Sequence, residues 1–143
     1  MVNIVAVRES SDWVEESWTV PSSQAALLEA FDGWNEDLIR LFKMSDPSEI
    51  FAWCLFDRDP MSQWGKGRLT LLGDAAHPML PFLSQGASMA IEDAYVLGKL
   101  LGRYPDPTTA LRLYENERIS RTSKVQLAAR ERGKTYHLPA RWS

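Results

Sequence analysis

A mixed α/β or α+β arrangement is what the patterning of this chain predicts, and three observations carry it. Asn3 to Arg8 and Val14 to Val20 alternate apolar and polar residues in the manner of half-buried strands, with Ser11-Asp12 as a turn between them. Leu69-Thr70-Leu71-Leu72 is too short and too uniformly apolar for a solvated strand, so it reads as a central strand covered on both faces. Two long helical patterns then close the chain, the first opening near Gly86 and the second at Asp106-Pro107.

The elements follow in order. Asn3–Arg8 and Val14–Val20 form an antiparallel hairpin. Pro21-Ser22-Ser23 caps a helix through Leu27, Leu28 and Phe31 that breaks near Gly33, and Asn35 caps a second through Leu38, Ile39 and Phe42. Asp46-Pro47-Ser48-Glu49 combines a capping residue, a proline at the first helical position and a glutamate at the third, which predicts a helical turn before a strand from Phe51 to Asp57. The helix from Gly86 runs through Met89, Ile91, Val96, Leu97 and Leu100 and ends at Gly102, with Pro105 just beyond. The last helix runs through Leu111, Leu113, Tyr114, Ile119 and Val125.

Composition sets the class. With 143 residues, 45% hydrophobic and 24% charged, the chain is of single-domain size and neither disordered nor fibrous. A net charge of −3 gives no reason to invoke nucleic acid. The basic excess after residue 104, including Arg112, Arg118, Arg121, Lys124, Arg130 and Arg132, reads as a solvated helix face. No 18-residue apolar run exists, so no membrane span is expected, and Met1 begins no leader-like pattern. A lone Cys54 allows no intrachain disulfide and suits a cytoplasmic location. With only His77 and His137 beside one cysteine, no metal site is expected.

The chemistry concentrates between Gly73 and Ser88. Ligands of α/β sheets bind beyond the carboxyl ends of the strands, where Asp74 stands ready to accept hydrogen bonds from sugar or polyol hydroxyls. Pro78 and Pro81 stiffen the loop that follows. At the start of the next helix, unpaired amides and the positive end of the helix dipole favour negative charge, and Gly86 lets a flat polar ring come close. Blander roles compete. Asp74 alone can cap a turn, His77 more often fixes a loop than moves a proton, and Glu92 and Asp93 suit helix-dipole support or a salt bridge better than paired acid–base chemistry. Trp13, Trp18, Trp34, Trp53 and Trp64 suit a core or interface better than a substrate pocket.

Residues 73–94, GDAAHPMLPFLSQGASMAIEDA, resemble the second flavin-binding signature of FAD-dependent aromatic hydroxylases, the single-component monooxygenases related to para-hydroxybenzoate and salicylate hydroxylases. The likeness extends upstream through Trp53, Asp57-Arg58, Pro60, Trp64 and Gly67-Arg68, and downstream through the terminal helices. It implies that Asp74 hydrogen-bonds the ribityl chain of FAD and that Pro81 lies beside the reactive edge of the isoalloxazine. It also implies that the amides of Gly86, Ala87 and Ser88 face the flavin N1 and C2 carbonyl. Ser88 departs from the asparagine of many relatives, a change that a backbone donor survives. Phe82, next to Pro81, becomes the candidate substrate contact. NADH or NADPH as reductant, O2 and an aromatic substrate are implied for the complete enzyme, and no side chain here is required as a nucleophile.

The family's Gly-x-Gly-x-x-Gly βαβ unit for the pyrophosphate does not appear in these residues. The resemblance is therefore to the C-terminal portion of the hydroxylase fold, with residues 1–67 as a partial substrate-domain sheet with helices and 68–143 as the second FAD motif and C-terminal helices, in one compact unit. Weak FAD binding by the lone chain is expected, with an N-terminal half or a homo-oligomer as partner. The competing reading is a non-catalytic truncated remnant or interaction module; a third is another flavin chemistry, such as halogenation or ubiquinone-ring hydroxylation.

Overall fold

A computed structural model describes residues 2–8 and 20–136. Backbone contacts divide the chain into two compact units, Met1–Leu55 and Phe56–Ser143. The division precedes residue 67 because residues that follow Phe56 are tied to the C-terminal helices, as described below.

In the first unit, strands β1 (Val20–Pro21) and β2 (Phe51–Ala52) pair antiparallel, Val20 opposite Ala52 and Pro21 opposite Phe51. Helix α1 (Gln24–Ala30) starts where Ser23 accepts the Ala26 amide at 3.1 Å, and α2 (Glu36–Lys43) where Asn35 accepts that of Asp37 at 2.9 Å. Asp46 caps the 3₁₀ turn Pro47–Glu49 through the Ser48 amide at 2.9 Å, as its capping pattern predicts. Phe31 and Phe42 form the buried centre, their rings 5.4 Å apart and edge to face. They line a groove with Val5, Val7, Trp34 and Leu38.

Among the described residues the sheet has these two short strands. Asn3–Arg8 forms no strand, and most of its expected partner, with Trp13 and Trp18, lies outside the described residues. Of the strand expected over Phe51–Asp57, Phe51 and Ala52 pair with β1 among the described residues, and the positions that would face the rest lie outside them. His137 also lies outside the described residues.

The second unit is built on α3 (Gly86–Arg103) and α4 (Pro107–Tyr136), which pack on each other across a short connection. Asp106 starts α4 by accepting the amides of Thr108 and Thr109 at 3.2 and 3.0 Å. Trp64, Ala76, Leu100, Ala110 and Tyr114 make the core. Residues 56–85 cross these helices with only two 3₁₀ turns and one β-bridge, so most of their backbone polar groups need partners elsewhere. Side chains of α4 supply them. Arg112 donates to the carbonyls of Gly65 and Leu69 at 2.9 and 3.0 Å, and the Tyr114 hydroxyl to that of Leu71 at 3.3 Å. Buried Glu115 accepts the Trp64 amide at 3.3 Å and the Thr70 hydroxyl at 2.6 Å.

The central strand expected at Leu69–Leu72 is corrected by this arrangement. Only Leu69 is bridged, to Lys66 across a tight turn at Gly67 (φ +60°), and Leu69 and Leu72 are exposed. Their apolar run has no strand beside it among the described residues, and side chains of α4 satisfy its carbonyls instead.

Candidate cofactor site

The site starts at Gly73, whose φ of +60° only glycine adopts at little cost. A Cβ there would also lie 3.3 Å from that of Ala90, so the loop rests directly on α3. Gly73–Ala75 forms a 3₁₀ turn, with the amides of Ala76 and His77 both donating to the Gly73 carbonyl at 2.9 Å. Asp74 faces outward from this turn, exposed, and makes no hydrogen bond or ion pair among the described residues.

A second 3₁₀ turn, Pro81–Leu83, leads to Ser84 in the left-handed region (φ 52°) and then to α3. Gln85 precedes this helix without a side-chain cap, and no acidic residue occupies its first turn. Ser23, Asn35 and Asp106 cap α1, α2 and α4, so α3 alone among the described α-helices begins uncapped. The amides of Gly86, Ala87 and Ser88 are therefore free to meet an acceptor from outside. Gly86 and Asp74 come together: a Cβ on Gly86 would lie 3.8 Å from Asp74 Oδ1. Pro81, Ala87 and Ser88 are exposed on the same bend, while Phe82 is half-buried with its ring 5.8 Å from that of Tyr136, edge to face.

Buried polar groups of the two helices hold this bend. Asp93 is completely buried on α3. Its Oδ2 accepts from His77 Nε2 at 2.6 Å and from the Gly73 amide at 3.1 Å, while Oδ1 accepts from Arg118 Nε at 2.7 Å. Burial opposes ionisation of Asp93, but hydrogen bonds from His77, Arg118 and the Gly73 amide outweigh it and hold the carboxyl below its ordinary pKa. Arg118 also reaches Glu92 at 2.7 Å; Arg121 binds the same carboxylate, chiefly lowering the Glu92 pKa to about 2. Gln126 Nε2 donates to the carbonyls of Pro78 and Arg58, both at 2.8 Å, and Arg58 donates to that of Ala75.

His77 and Asp93 thus take the loop-fixing and salt-bridge roles that the residue types favour. Arg118 corrects the expected solvated face, since it is 4% exposed and closes the Asp93 pair. Arg130 likewise pairs with Asp57 at 2.6 Å, and Arg112 serves loop carbonyls. Arg118 and Gln126, with the partners of Asp93, are the supports that sequence reasoning missed. A buried partner many residues away leaves no local pattern.

The donor set fits a flavin: one free carboxylate for hydroxyls, and bare amides with a positive dipole end for an electron-rich carbonyl. A family model described as FAD binding domain matches residues 41–129. The chain belongs to this FAD-binding family. It is 48% identical over 140 residues to the 3-amino-4-hydroxybenzoate 2-monooxygenase PtnB3 of Streptomyces platensis, covering 97% of this chain and 35% of that protein. It is 42% identical over 125 residues to the 6-hydroxynicotinate 3-monooxygenase of Bordetella bronchiseptica, covering 86% and 32%. Among solved structures, Klebsiella pneumoniae HpxO complexed with FAD and uric acid matches with a TM-score of 0.72 and 34% identity over 90% of this chain and 32% of that one. A salicylate hydroxylase substrate complex matches with 0.71 and 35% identity over 94% and 33%. The chain spans about a third of the length of these relatives. It matches a portion of the FAD-dependent hydroxylase fold, and FAD is the cofactor of the family. No described helix is long and apolar enough to cross a membrane, and no described group of histidine, cysteine and acidic residues is arranged for a metal.

Proposed function

We propose that this chain supplies the isoalloxazine and ribityl contacts of an FAD-dependent monooxygenase that hydroxylates an aromatic ring with NAD(P)H and O2. The observation that carries this reading is a free Asp74 carboxylate facing Gly86 at the uncapped start of α3. Bound FAD supplies the redox and oxygen chemistry. Asp74 would accept a ribityl hydroxyl, and the amides of Gly86, Ala87 and Ser88 would donate to the electron-rich N1–C2 carbonyl edge of the flavin. Pro81 borders the reactive edge of the ring, and Phe82 offers an apolar wall to the aromatic substrate. The buried Asp93 and Gln126 contacts keep these groups in place without taking part in the reaction.

Full binding of FAD also needs a cradle for its pyrophosphate, and the proposed source is a segment or polypeptide that carries Gly-x-Gly-x-x-Gly. Ile91 and Tyr95, both 70% exposed on α3, offer an apolar face for that partner or for a second copy of the chain. The proposed setting is the cytoplasm, consistent with the single Cys54. A second reading is a non-catalytic interaction module that has kept the site's shape. A visible spectrum separates the two: with an N-terminal half present, stoichiometric flavin absorbance that Asp74→Ala weakens supports the enzyme part. No bound flavin under those conditions supports the module.

A further inference from the structure

Gly133 lies buried in the last described turn of α4, at a helical position where alanine is the better helix former. Its φ is not positive, so backbone conformation does not require glycine. Space does. A Cβ at Gly133 would lie 2.6 Å from Cε2 and 2.7 Å from Cδ2 of Phe82, far inside van der Waals contact. Three residues on, the Tyr136 ring meets the same phenyl edge to face. Positions three apart share a helix face, so the two residues form one seat for the Phe82 ring.

The seat bears on the flavin bend. Asp93 and Gln126 grip its first half, at Gly73, His77 and Pro78. Phe82 belongs to the second half, between Pro81 and the left-handed Ser84 that aims the chain into α3. A Cβ at Gly133 would have to displace this ring, and Phe82 is the middle residue of the 3₁₀ turn that carries Pro81 and leads through Ser84 to the Gly86 amide. We propose that Gly133 is a positioning residue for the flavin: its missing side chain seats Phe82, and Phe82 sets Pro81 and the first amides of α3. This inference rests on the flavin reading of the site.

The test compares the wild-type chain, Gly133→Ala, Phe82→Ala and the double variant by three readouts. These are thermal midpoint, amide resonances of Ser84 to Ser88 without ligand, and the affinity for added FAD. With Phe82 present, Gly133→Ala is expected to lower the midpoint, move those resonances and weaken FAD binding tenfold or more. With Phe82 removed, the same substitution is expected to raise the midpoint, as helix propensity alone dictates, and to leave resonances and affinity as they are in Phe82→Ala. Equal effects in both backgrounds, or a raised midpoint with unmoved resonances when Phe82 is present, overturn the proposal. Background-dependent resonances in a chain whose wild type gives no FAD response support the seat and refute the flavin reading, so the two failures are distinguishable.

Discussion

Replacing Asp93 by alanine removes the acceptor on which three buried donors converge: Arg118 Nε at 2.7 Å, His77 Nε2 at 2.6 Å and the Gly73 amide at 3.1 Å. Breaking a buried ion pair from one side costs about 3–5 kcal/mol, because the surviving charge stays desolvated. Arg118 keeps Glu92 at 2.7 Å, which places its share near the low end, about 3 kcal/mol. The stranded Gly73 amide and His77 ring together add about 1 kcal/mol, the low end for one unsatisfied group, since the loop can shift toward water. The sum is about 4 kcal/mol; at a urea slope of about 2 kcal/mol/M, the midpoint should fall by about 2 M. The assay is equilibrium urea unfolding followed by tryptophan fluorescence, because Trp64 packs on His77 with ring centroids 5.4 Å apart. Asp93→Leu combined with Arg118→Met should recover much of the loss, since apolar replacement of a whole buried pair is often neutral. A midpoint within about 0.3 M of wild type for Asp93→Ala, roughly 0.6 kcal/mol at that slope, would refute the view that this carboxylate anchors the loop.

Three further outcomes follow from the same geometry. Gly86→Val places methyl groups against Asp74 Oδ1 and Met79 Cγ, which already stand 3.8 and 3.9 Å from a Cβ, so FAD affinity should fall more steeply than thermal stability; equal losses would indicate packing alone. Gln126→Leu strands the carbonyls of Arg58 and Pro78 and should cost about 2 kcal/mol in urea unfolding, with an unchanged midpoint counting against the clamp. The folded-state pKa values of Asp93 and Glu92 are depressed, so the stability they contribute is present above their unfolded values, near 4, and is lost as pH falls through the folded values. Urea midpoints should therefore drop from pH 5 toward pH 2, less steeply in Glu92→Gln, and a flat profile would contradict both pairings.

What could be read in advance was what local chemistry dictates. Asn35, Asp46 and Asp106 cap their helices because a short polar side chain next to free amides has few better partners. Asp74 and Gly86 meet because the intervening loop, stiffened by Pro78 and Pro81, has a length and turn chemistry written into one contiguous stretch. Misreadings arose where the answer lies far along the chain. Leu69–Leu72 has the composition of a buried strand, but a strand needs a neighbour, and α4 side chains hold its carbonyls instead. Arg118 is chemically indistinguishable from its solvated neighbours until Asp93 is seen 25 positions away. Gly133 gave no signal at all, since only the approach of Phe82 makes its missing Cβ meaningful.

The central claim, that Asp74 and the bare amides of α3 form a flavin contact, is tested most directly by titrating the isotopically labelled chain with FAD and following backbone amide shifts. NMR detects even the weak binding expected without a pyrophosphate cradle. The account predicts that the largest changes fall on Gly86, Ala87 and Ser88, with Asp74 next, and that Asp74→Ala reduces them. Saturating FAD that leaves those amides unmoved, or shifts instead the groove around Phe31, Trp34 and Leu38, contradicts it.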